Sequence, residues 1–77
     1  MNEFTYILEH DSTGMADYIN KVDRSGNIIG YYCLAIKEWI TVQPQNYVTI
    51  KHYKERFCDN ENIFKTISEE EAFLEML

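Results

Sequence analysis

Between Ile28 and Val42 the chain is built almost entirely of strand formers, and these fifteen residues far exceed the roughly five or six of an ordinary strand. The run has to bend, bulge or break, and we expect it to do so near Lys37-Glu38. Simple alternation puts Ile28, Tyr32, Leu34 and Ile36 on one side, and Ile29, Tyr31, Cys33 and Ala35 on the other. Both sides are apolar. A sheet containing this strand needs cover on two faces.

The neighbouring segments supply more strands. Phe4, Tyr6 and Leu8 alternate with Thr5 and Ile7, and His10-Asp11-Ser12-Thr13-Gly14 follows as a cluster of turn formers. Residues 15–23 read two ways. Met15, Tyr18, Ile19 and Val22 have helical spacing, with Ser12 or Thr13 available as a cap. Against a helix, Gly14 would fall in its first turn, and Asp23-Arg24-Ser25-Gly26-Asn27 has the chemistry of a hairpin turn. We favour the hairpin. A second one is expected where Glu38-Trp39-Ile40-Thr41-Val42 and Tyr47-Val48-Thr49-Ile50-Lys51-His52-Tyr53 flank Gln43-Pro44-Gln45-Asn46. Residues 58–62 read as a surface loop. Ser68-Glu69-Glu70-Glu71 matches a capping box, opening a helix of about ten residues with Phe73, Leu74, Met76 and Leu77 on its apolar side. A helix that short is marginal in water unless it docks.

The expected architecture is a single α+β domain over residues 1–77, a small antiparallel sheet of four or five strands with one short C-terminal helix packed on one face. One such helix covers one face. The other is left for a partner, a second copy of the chain, or the 58–67 segment folding over it. Eleven aromatic side chains, six of them tyrosine, are more than so small a core encloses, and tyrosine and tryptophan are enriched at interface hot spots.

Charge is unevenly placed. The chain has 13 acids and 7 bases for a net −6. Residues 1–57 hold seven acids and six bases, while residues 58–77 hold six acids and only Lys65. Glu69, Glu70 and Glu71 suit the positive end of a helix dipole, whereas Asp59 and Glu61 have no such role and are better placed for a basic partner. The opposite patch, Lys51-His52-Tyr53-Lys54-Glu55-Arg56-Phe57, mixes cations with rings as single-strand binders do. A net negative field opposes a polyanion, so direct nucleic-acid binding is the weaker reading.

Chemistry-bearing motifs are missing. Phosphate loops, dinucleotide turns, H-E-x-x-H and G-x-S-x-G do not occur. Cys33 and Cys58 with His10 and His52 lack the close pairs of zinc modules. We expect reduced thiols, no metal, no cofactor and no enzymatic activity. With no apolar run near 18 residues and no basic-apolar leader, the expectation is a soluble cytoplasmic protein without membrane contact. Ile, Asn, Lys, Tyr and Phe, which have AT-rich codons, make up 30 of the 77 residues, and small, acidic, aromatic-rich domains without motifs are frequent among phage and mobile-element genes.

The function these features favour is a non-enzymatic protein-binding module. The sharpest form is a phage or mobile-element inhibitor, anti-CRISPR-like or anti-restriction-like, that occludes a host nucleic-acid-handling or defence protein in the host cytoplasm. Tyr31, Trp39 and Tyr47 are the expected apolar anchors, with Asp59, Glu61, Glu69 and Glu70 as an acidic rim toward a basic partner surface. One alternative is a structural or accessory subunit that forms a homodimer through its second sheet face. Another is a single-strand nucleic-acid module using Lys51, Tyr53, Lys54 and Arg56.

Overall fold

Three consecutive antiparallel strands begin the fold, and two turns of one design join them. The computed structural model describes residues 4–57 and 63–77, with β1 at Thr5–His10, β2 at Ala16–Val22 and β3 at Asn27–Cys33. In the first turn Asp11 Oδ1 accepts from the amides of Thr13 (2.9 Å) and Met15 (3.0 Å). In the second, Asp23 Oδ1 accepts from the amides of Ser25 (3.0 Å) and Asn27 (2.9 Å). Gly14 and Gly26 donate back to the carbonyls of these aspartates and stand at φ 88° and 85°. A side chain there would be strained, so glycine closes each three-residue loop. This chemistry decides residues 15–23 for strand over helix.

The first turn carries a pH dependence. The Thr13 hydroxyl, then the Met15 amide, hold the Asp11 carboxyl below the usual carboxylate range. A carboxyl depressed in the folded state stabilises fully above its unfolded value, about 4, and that stabilisation is lost as pH falls through the folded value. Asp11→Asn should therefore be less stable than wild type at neutral pH, with the gap narrowing toward about pH 2. Urea midpoints measured at both pH values check this, and an equal gap at both contradicts it.

The long apolar run breaks where expected, although not as one bent strand. Leu34–Lys37 form a turn with Lys37 at φ 56°, and its amide donates to the Cys33 carbonyl at 2.8 Å. Strand β4, Glu38–Thr41, then returns antiparallel along β3. Inside β3 the register shifts: Lys21 lies opposite Gly30, but Val22 lies opposite Ile28. This bulge at Ile29 corrects the simple alternation, because Ile28 and Tyr32 end on opposite faces of the sheet.

The second expected hairpin is not formed. After a 3-10 turn at Pro44–Asn46, β5 is only Val48–Thr49, and it pairs with Asn27 and Ile28 of β3 rather than with β4. Two short strands thus share one edge of β3. From Ile50 the chain is helical, as α1 over Ile50–Phe57, opened by Thr49 Oγ1 accepting from the His52 amide at 3.1 Å. Strand-forming residues here yield to packing, since Ile50 and Tyr53, three apart, seat one side of the helix on the sheet.

Strand β6, Ile63–Ile67, adds to the free edge of β1, giving the order β4-β3-β2-β1-β6 with every pairing antiparallel. Residues 63–67 therefore extend the sheet edge and do not fold over its second face. Helix α2, Glu69–Met76, follows, with Ser68 Oγ accepting from the Glu71 amide at 3.0 Å and donating to Glu71 Oε1 at 3.3 Å. The expected loop at 58–62 lies outside the described residues.

Two small cores result. On the first face Tyr6, Leu8, Ile19, Tyr32 and Ile67 pack with Ala72 of α2. On the second, Ile7, Val22 and Ile28 pack with Ile50, Tyr53 and Phe64. The face expected to need an outside partner thus has α1 over part of it. Among the described residues no helix is long and apolar enough to cross a membrane.

Candidate functional site

Helix α1 is eight residues long and leaves an open part of the second face. The opening is a cleft of about 450 Å³. Its floor is Glu9 on β1 and Asn20 on β2, diagonal neighbours on adjacent strands, with Ile7 opposite Asn20 and Glu9 opposite Tyr18. Glu9 is only 2% exposed and Asn20 3%. Burying a carboxylate is costly unless donors meet it. Here Asn20 Nδ2 donates to Glu9 Oε1 at 3.2 Å and Tyr53 Oη donates to the same oxygen at 2.8 Å. The tyrosine reaches Glu9 from α1, so one carboxylate ties β1, β2 and the helix together.

The walls are tyrosine and aliphatic. Tyr18 and Tyr31 meet edge to face, with centroids 5.6 Å apart and planes at 89°. Tyr53 stands on the helix side, edge to face with Phe64 at 5.7 Å. Ile28, Val42 and Val48 complete the lining, with Asp17 and the exposed Asn46 as further polar groups. No basic residue lines the cleft among the described residues, which leaves Glu9 and Asp17 as its ionisable acids.

The phenols sense this environment. Burial, then the hydrogen bond from Tyr53 to Glu9 and the charge of Glu9, hold the Tyr53 hydroxyl well above the ordinary phenol value. Tyr18 is raised too, by burial first and then by Cys33, Asp17, Glu9 and Tyr31. Both phenols stay protonated at neutral pH, so Tyr53 remains a donor.

The anchors and rim expected from the sequence are divided. Tyr31 lines the cleft. Tyr47 is 38% exposed and sits between two lining residues, Asn46 and Val48. Trp39 pairs in register with Tyr32, which places it on the opposite face, 43% exposed and 5.4 Å from the Tyr32 ring centroid. Glu69 and Glu70 occupy the first turn of α2, where Glu69 adds to burial in raising the Tyr6 phenol. Asp59 and Glu61 lie outside the described residues. Of the described members of the set, Tyr31 lines the cleft and Tyr47 stands beside it, while Trp39, Glu69 and Glu70 lie elsewhere.

The basic patch is divided as well. Lys51, Lys54 and Arg56 are exposed on α1, while Tyr53 turns inward to Glu9. A ring engaged there is not on the surface with the three cations.

Sequence reasoning overlooked Glu9, Tyr18, Asn20 and Tyr53 as a group. A signal for Glu9 was present, since it continues the face of Thr5 and Ile7 behind two apolar residues. Comparison with family models, with curated proteins and with solved structures gave no match.

Proposed function

We propose that the chain is a small non-enzymatic module that binds a protein partner, taking a segment of that partner into the cleft on the second face. The observation carrying this reading is the cleft itself: about 450 Å³ of open volume, within the usual range for ligand sites, walled by rings and floored by a few converging polar groups. Tyrosine gives large contact area with few rotatable bonds to order, which favours recognition. The acidic lining suits a basic partner surface. Occupying such a surface is how an inhibitor of a nucleic-acid-handling protein would act.

Selection from a random peptide display library tests the reading. Wild type and Trp39→Ala should enrich one common set of peptides, because Trp39 lies on the other face. Tyr31→Ala should bind those peptides at least about tenfold more weakly, the scale of a modest hot spot. No enrichment by wild type, or equal binding by Tyr31→Ala, would refute the proposal.

A further inference from the structure

The lining of the cleft combines features that discriminate between ligand charges. Two acids are present without a basic residue among the described lining groups, and three tyrosines stand around them. An anionic ligand would meet like charge at Glu9 and Asp17. A neutral ligand would gain contact area alone. An organic cation gains on both counts, from the carboxylates and from the negative faces of the rings.

Resting on the reading of this cleft as the binding site, we infer that its ligand is an organic monocation, an alkylammonium or guanidinium group, held against the tyrosine wall of Tyr18 and Tyr31 beside the Glu9 carboxylate. The site is prepared in advance. Asn20 and Tyr53 donate to Glu9 Oε1 and fix the carboxylate on the floor, and the right angle between Tyr18 and Tyr31 fixes two rings beside it. Preorganisation of this kind reduces what binding must order. The volume of about 450 Å³ admits a lysine or arginine side chain together with flanking main chain, which is the source expected of a protein partner. A free small amine carries the same chemistry.

Three probes separate charge from shape and source. Choline, its uncharged isostere 3,3-dimethylbutan-1-ol, and the tripeptide acetyl-Gly-Arg-Gly-amide are titrated into the full ¹⁵N-labelled chain, following amide resonances. Choline and the tripeptide should shift the resonances of Glu9, Tyr18 and Asn20, with the alcohol about tenfold weaker than choline, equivalent to about 1.4 kcal/mol. Binding should also weaken as salt rises. A tripeptide tighter than choline identifies the partner's side chain as the source, and the reverse order identifies a free cation. Tyr31→Leu, a half-buried position where an apolar residue keeps the sheet packed, should lower both affinities about tenfold.

Equal affinity for choline and the alcohol would overturn the inference, as would cations that leave the cleft resonances unmoved or a Tyr31→Leu chain that binds them unchanged. If display peptides depend on Tyr31 while neither cation binds, the cation inference falls and the binding module stands. If no peptide is enriched but choline binds with the stated selectivity, the protein partner falls and the cation site stands.

Discussion

Ile19→Ala is expected to destabilise the fold by about 2–5 kcal/mol, the range for removing a buried isoleucine side chain to the β-carbon. Ile19 is the one large side chain with no exposure among the described residues. It lies at the centre of β2, opposite Leu8 on β1 and Tyr32 on β3. Strands paired on both sides hold their spacing, so neighbours cannot collapse into the space and the upper part of the range applies. A domain of 77 residues has a total stability of only about 4–12 kcal/mol. The melting temperature should fall by roughly 10 °C or more. Thermal unfolding followed by circular dichroism reads this directly, and a drop under about 3 °C would show that Ile19 is not the keystone of the first core.

Glu9→Ala should cost about 2–3 kcal/mol for a different reason. The substitution removes the acceptor that Asn20 Nδ2 and Tyr53 Oη share. Part of the loss is offset, because a buried carboxylate carries its own desolvation cost and the open cleft admits water to the donors. Glu9→Gln keeps one acceptor oxygen and nearly the same volume, and should recover about half of the loss. Tyr53→Phe removes one donor, and in a double-mutant cycle with Glu9→Ala the pair should couple by about 1 kcal/mol or more. Denaturant midpoints of the four chains test this. Additive effects would mean that Glu9 and Tyr53 stabilise the fold independently, and the account of a carboxylate tying helix to sheet would fail.

Much of the first half of the fold is legible because its determinants are local. Asp-x-Ser/Thr-Gly at residues 11–14 and again at 23–26 specifies two turns through contacts no more than four residues apart. Ser68 and Glu71 mark the start of α2 in the same way. The rest depends on distant partners. Val48-Thr49-Ile50 is good strand material, and only the docking of Ile50 and Tyr53 against the sheet turns the next residues into helix. Ile63–Ile67 becomes a strand because β1 offers an edge more than fifty residues earlier in the chain. The cleft is harder still: Glu9, Asn20 and Tyr53 come from three elements, and nothing in the spacing of those residues joins them.

The position of β6 has a consequence for the order in which the protein is made. The strands β1, β2 and β3 pair through short loops and can assemble as soon as they emerge. The outer edge of β1, however, is filled by residues 63–67, which are synthesised only after all three. Until then the nascent sheet presents an unpaired strand carrying Tyr6, Ile7 and Leu8, a template for edge-to-edge association. The later part of the chain therefore acts as an internal guard, and chains interrupted before Ile63 should be the ones that aggregate.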